Sequence, residues 1–289
     1  MSIIKKPLAV ILAFTILTSC ILFASAGYEG EARAVIGANL SDEQIDMVYS
    51  LFDIERGDVQ ELTVTNGEER SYLEGIVSES AIGTRSISCV YINMLAENEG
   101  LSLETTNINW CTDDIYTNAL ITAGITDAEV IIAAPFEVSG TAALTGIYKA
   151  YDDITGEVLD EDAKTAATEE LVITSELADE IGSADAAEIV TELKKILDET
   201  SSMTDEELKE VIKEIAANIA VTVTNEQIQQ LIELVRKLEK LDTAELISRV
   251  EKIQEGVKKA TSGLSLSGLW DGIAGFFNSI IDFISGLFN

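Results

Sequence analysis

The run from Asn107 to Tyr151, NINWCTDDIYTNALITAGITDAEVIIAAPFEVSGTAALTGIYKAY, constrains the fold of this chain more than any other stretch. Thr112 stands where a helix N-cap is expected, and Asp113 and Asp114 follow in the first turn, where their charge favours the positive end of the helix dipole. Ile115, Ala119, Leu120 and Ala123 recur at helical spacing, and Gly124 supplies the stop. Val130 to Ala134 is then a continuous apolar run closed by Pro135, the pattern of a strand covered on both faces. Ser139 is placed to cap a second helix whose buried side is Ala142, Ala143, Leu144, Ile147, Tyr148 and Tyr151. Gly140, Ala142 and Gly146 are small enough to let it lie close on a sheet. The order strand, helix, strand, helix makes a βαβα core. The fold class is therefore α/β, with α+β as the variant, on a small mixed or parallel sheet.

The preceding residues extend that sheet. Leu40-Ser41-Asp42-Glu43-Gln44-Ile45 opens a helix with a capping box and a hydrophobic staple, and the same start recurs at Thr204 to Glu207 and Thr224 to Gln227. Gln60 to Thr65 reads as a strand, Glu68 to Val77 as a helix, and Arg85 to Ile92 and Leu101 to Asn109 as two further strands. From residue 153 the composition turns to Ala, Glu, Lys and Leu at helical spacing. Helices are expected over Ala163–Ile181, Ala184–Thr200, Asp205–Ala220, Asn225–Leu241 and Thr243–Ala260. The organisation is thus an α/β domain over 27–152 and a helical module over 153–260.

The chemistry is bounded mainly by exclusion. There is no histidine, which removes Ser-His-Asp and Cys-His catalysis and every His-containing metal site. Lys and Arg total 19 against 51 Asp and Glu, a formal charge of -32, so binding to nucleic acid through a basic patch is excluded. Carboxylate acid/base work remains, and the carboxyl ends of parallel strands are where an α/β site would lie. Asp113, Asp114 and Glu137 are the catalytic candidates there, although two of them also serve the helix dipole and the third is a loop carboxylate. No metal or cofactor is expected. Calcium is the one ion that the carboxylates Asp152, Asp153, Glu157, Asp160 and Asp162 suggest, but their spacing is not that of an EF-hand, and a solvated turn is the simpler reading. Arg85, isolated in the turn Ile82-Gly83-Thr84-Arg85, is expected to pair with a nearby carboxylate in preference to binding an anion.

Both ends of the chain point outside the cytoplasm. Lys5 and Lys6, an apolar run from Leu8 to Phe23 and Ala24-Ser25-Ala26 make residues 1–26 a secretory signal. Leu17-Thr18-Ser19-Cys20 also fits a lipobox, which would leave Cys20 lipidated. Export makes a disulfide between Cys89 and Cys111 plausible, with two buried free thiols as the alternative. After a linker over 261–268, residues 269–289 form an amphipathic apolar tail. Its contact face is Leu269, Trp270, Ile273, Phe276, Phe277, Ile280, Ile281, Phe283, Ile284, Leu287 and Phe288. A membrane surface or envelope component, self-association, or docking on its own helical module would each cover that face; Asp271 and Asp282 count against an anionic bilayer.

Three segments carry a resemblance: Ile82-Gly83-Thr84-Arg85, Asn107-Ile108-Asn109-Trp110, and Ala133 to Gly146 (AAPFEVSGTAALTG). They resemble the YpuA-like family, an exported domain-of-unknown-function family of Gram-positive bacteria and some archaea, in order from about Val35 to Leu241. The resemblance implies export and an α/β core followed by helices. It assigns no reaction and no catalytic residue, and it supplies no pairing for Cys89 and Cys111. The favoured expectation is an exported, envelope-associated, non-enzymatic structural or binding protein; the alternative is a carboxylate-dependent hydrolase of an extracellular or envelope polymer.

Overall fold

The computed structural model describes residues 28–74, 76, 82–261 and 286. Five strands, β1 (Ala32–Gly37), β2 (Gln60–Val64), β3 (Cys89–Met94), β4 (Leu101–Ile108) and β5 (Ala128–Val138), form one sheet in the order β2-β1-β3-β5-β4. β1 pairs with β2 and β4 with β5 in parallel, while β3 runs antiparallel to β1 and β5. The sheet is therefore mixed. Two parallel pairs send their carboxyl ends to one edge, and β3 enters the sheet from that same edge.

Two strand readings are corrected. β1 has no forecast in the sequence: only Val35 and Ile36 favour a strand strongly, and Ala32, Ala34 and Gly37 mask them. β5 does not stop at Pro135 but continues to Val138. It can do so because Pro135 lies past the β3 pairing and within the stretch of β5 that a register shift leaves out of the β4 pairing, between Ala133 opposite Thr106 and Val138 opposite Ile108. The missing N–H of Pro135 therefore leaves no ladder bond unmade. Asn107, opposite that stretch, has φ 60° and donates from Nδ2 to the Ala134 carbonyl at 2.7 Å.

The helices are α1 (Asp42–Phe52), α2 (Asn66–Leu73), α3 (Asp113–Ala123), α4 (Thr141–Thr155), α5 (Glu161–Ile181), α6 (Ser183–Lys195), α7 (Leu197–Thr200), α8 (Asp205–Asn218), α9 (Asn225–Leu238) and α10 (Thr243–Thr261). Capping boxes start α1, α8 and α9 as read, and a fourth, Thr65 with Glu68, starts α2. Thr112 does precede α3, but its hydroxyl makes no cap bond. α4 is preceded not by a Ser139 cap but by Gly140 at φ 101°. The helix read as Ala184–Thr200 is broken at Ile196 into α6 and the short α7.

α1 covers one face of the sheet, over Ala34, Ile36, Cys89 and Ala133. Val35, Val90, Ile92, Val130 and Ile132 on the other face meet α3, α4 and α5. Ala167 and Leu171 of α5 belong to that core, whereas Ala166 and Leu177 join the helical core of α6, α8, α9 and α10. One helix thus serves both parts of the chain.

Cys89 and Cys111 are free and buried, in separate core clusters. The bridge offered as one alternative is not formed: Cys89 Sγ accepts from the Gly37 N–H, and Cys111 Sγ accepts from the Ser175 hydroxyl.

The sheet layer and the helical layer are joined by a buried polar cluster. Lys194 Nζ lies 2.6 Å from Glu170 Oε1, both side chains fully buried. This is a close charge contact outside hydrogen-bonding angles, since Oε1 accepts no hydrogen bond. Lys194 also donates to the Asn118 carbonyl and to Thr122 Oγ1, and Thr122 donates to Glu170 Oε2 at 2.6 Å. Asn118 donates to the Ala187 carbonyl and accepts from Thr191. Nearby on α6, burial pushes the Glu192 carboxyl up to about 7, with Lys195 opposing the rise and Glu188 adding to it. The unfolded chain releases this proton near the ordinary 4.5. Between those values only the native state holds it, so this group's contribution to stability falls as pH rises from about 4.5 to 7. The loss is on the order of 3 kcal/mol. Urea denaturation at pH 4.5 and 7.5 should show Glu192→Gln flattening that slope.

Candidate functional site at the carboxyl edge of the sheet

Where β1, β2, β4 and β5 end and β3 begins, three chain segments enclose a crevice of about 260 Å³. One wall is Ile82 to Ser88, the other is Val138 to Ala142, and Glu69 of α2 closes the base. The first wall is tied down on both sides. Arg70 of α2 donates to the Gly83 carbonyl at 2.8 Å, Ser86 N–H donates to Asn39 Oδ1, and Asn39 N–H donates to the Ser86 carbonyl. In the second wall, the Gly140 carbonyl accepts from Tyr116 Oη at 2.6 Å and from Ser88 Oγ at 3.3 Å, which fixes the start of α4 against β3.

Arg85 stands at the mouth. It is exposed, and its Nη2 donates to the Asn39 carbonyl at 2.9 Å. Arg33, Arg56, Arg236 and Arg249 each pair with a carboxylate, but among the described residues Arg85 does not. The expected carboxylate partner is therefore absent there, and the isolated cation faces the crevice.

Glu69 is 1% exposed and accepts from Thr141 Oγ1 at 2.6 Å and from Asn66 Nδ2 at 3.1 Å. Burial raises its carboxyl above the ordinary range, against the lowering effects of Thr141, Asn66 and Arg70. The α4 amino end adds Ser139, Gly140 and Thr141, with no acidic residue in its first turn. The crevice thus presents one exposed guanidinium, a helix amino end and hydroxyls over a buried carboxyl, an arrangement that can hold an oxyanion.

The carboxylates singled out in the sequence are elsewhere. Asp113, Asp114 and Glu137 are all exposed, and none lines this crevice. Asp114 lies instead at a 320 Å³ cavity between α3, α6 and α10. Among the described residues Glu69 is the only carboxyl in the crevice lining, short of the pair that acid/base hydrolysis of a glycoside uses. Nothing in the sequence marked it, because it sits one residue after a capping glutamate and reads as a second surface charge. Three of the carboxylates from the last turns of α4 onward are structural: Asp153 pairs with Arg33, Asp152 accepts from the Leu159 N–H, and Asp160 caps α5. Among the described residues no group of three or more His, Cys, Asp or Glu is placed to hold a metal. The signal at 1–26 with Cys20, and the tail face from Leu269 to Phe288, lie outside the described residues.

The segments that carried the family resemblance converge here. Ile82 to Arg85 is one wall, Trp110 packs against the core cluster that holds Ile82, and Ser139 to Ala142 is the other wall. Gly146 lets α4 lie close on the sheet, since a Cβ there would be 3.3 Å from Val35. Fold and site together define a mixed-sheet α/β protein with a helical layer and an edge crevice. The chain belongs to the family described as protein of unknown function (DUF1002), whose model matches residues 36–255. It is similar to the uncharacterized protein YpuA of Bacillus subtilis (strain 168), at 35% identity over 263 residues, 90% of this chain and 88% of that protein. No solved structure matches it.

Proposed function

We propose that this chain is exported and acts outside the membrane as a non-enzymatic binding protein, holding an oxyanionic group of an envelope component in the sheet-edge crevice. The observation that carries this reading is Arg85, an exposed guanidinium without a carboxylate partner among the described residues of a chain with 51 acids. Its guanidinium is held by a backbone carbonyl of Asn39 and not by a carboxylate among the described residues, which leaves its charge available at the crevice. The secretory pattern of residues 1–26 supports export, and the apolar tail over 269–289 supplies attachment or self-association.

A charge-assisted contact of this kind contributes about 1.5–3 kcal/mol. Arg85→Ala in the full-length protein is therefore expected to weaken sulfate binding by at least about tenfold in calorimetry, with Arg85→Lys intermediate. Equal binding by Arg85→Ala, or none by the parent protein, overturns the crevice reading. For the tail, the chain ending at Thr261 should leave the envelope fraction that retains the full-length protein; equal retention removes its attachment role.

A further inference from the structure

Resting on that anion-binding reading, we propose that Glu69 gates the crevice by proton linkage: the oxyanion is taken together with one proton on the Glu69 carboxyl, so occupancy falls as the surroundings become more alkaline. The geometry sets up this coupling. Glu69 lines the same 260 Å³ space as Arg85, Ser88, Ser139 and Thr141, and it is almost wholly buried. Neither Arg nor Lys forms an ion pair with it among the described residues. Its two oxygens accept only from the neutral donors Thr141 and Asn66. An oxyanion entering beside an ionised Glu69 would meet a second negative charge where little water screens it. A protonated Glu69 removes that repulsion and offers an O–H donor in its place.

The groups around Glu69 leave it as the one that titrates. Arg70 on its own helix is held to Asn66 and the Gly83 carbonyl, and Lys149 of α4 is paired with Glu68. Cys111 and Tyr116, on the β4–α3 side, are both pushed up by burial and stay neutral. Asp179 of α5 accepts from Trp110 Nε1. The rise that burial gives Glu69 points the same way, since it brings the proton closer to neutral pH before any anion arrives. Linkage then requires that anion binding raise proton affinity by the same factor by which the proton raises anion affinity.

Sulfate is the suitable probe because it keeps its charge across the range. Calorimetric titration of the full-length protein with sulfate should show affinity falling at least about tenfold between pH 5 and pH 8. Uptake of close to one proton per anion near the midpoint should appear from paired buffers of different ionisation enthalpy. Glu69→Gln, which keeps the shape but cannot ionise, should bind nearly equally at both pH values. Sulfate binding that is lost in Arg85→Ala yet pH-independent in the parent, or that keeps its pH dependence in Glu69→Gln, overturns the gate and leaves the crevice reading standing. Absence of binding at either pH overturns both. Proton uptake is read on the parent protein, so the gate remains testable if Glu69→Gln fails to fold.

Discussion

Replacing Lys194 by methionine is expected to destabilise the protein by about 3–5 kcal/mol, because it strands a buried carboxylate. Both partners are fully buried, and burial raises the Glu170 carboxyl while lowering the Lys194 amine. The pair persists because each member neutralises the other, because Asn118 and Thr122 of α3 accept from Lys194, and because Thr122 donates to Glu170 Oε2. Removing Lys194 leaves Glu170 with one hydroxyl donor in an apolar setting. Exchanging both residues for apolar ones of similar size removes the charge that suffers. Lys194→Met with Glu170→Leu should therefore recover most of the loss. Denaturant titration of the three proteins decides this, and a single variant within 1 kcal/mol of the parent would mean that the cluster contributes no more than a surface pair. A further sign follows from the raised Glu170 carboxyl: the Lys194→Met defect should shrink in acid, where protonation removes the stranded charge.

Gly140→Ala is the second large effect expected, at about 3 kcal/mol or more from left-handed strain and overpacking together. At φ 101° a side chain is strained whatever the space. An added Cβ would also lie 2.6 Å from Tyr116 Oη and 2.7 Å from Ile108 Cγ2. Tyr116 is fully buried and donates to the Gly140 carbonyl, so neither neighbour can move without opening the wall of the crevice. Gly156, at the other end of the same helix, separates the two causes. It too has a positive φ, of 66°, but nothing lies within 4 Å of its added Cβ. Gly156→Ala should lose only the backbone part, about 1 kcal/mol. Thermal melts of the two variants should differ accordingly. Equal shifts would show that the contacts around Gly140 relax freely.

Much of the architecture is legible in the residues, because helix starts and two-sided apolar runs have local signatures. Ser41 with Gln44 and Thr204 with Glu207 announce their helices, and Val130 to Ala134 announces a buried strand. β1 escapes because alanines dilute its β-branched pair. The length of β5 escapes because Pro135 is tolerated through the register shift between β5 and the neighbouring strand opposite Asn107. The second cause is not local to the segment misread.

The site divides in the same way. The turn holding Arg85 and the run through Gly140 stand out as unusual sequence, but that they form opposite walls depends on β3 entering the sheet between β1 and β5. Glu69 is invisible without the fold, since only Thr141 and its neighbours turn a helix-surface glutamate into a buried carboxyl. Asp113 and Asp114 look like a site because they follow a strand and open a helix, yet α3 turns both into solvent.

Backbone amide shifts recorded on the full-length protein during titration with sulfate test the crevice most directly. The account predicts changes concentrated at Thr84 to Ser88 and Ser139 to Ala143, weaker at pH 8 than at pH 5 and abolished by Arg85→Ala. Changes centred on the cavity at Asp114 and Ala187, or a pattern that Arg85→Ala leaves intact, would contradict it.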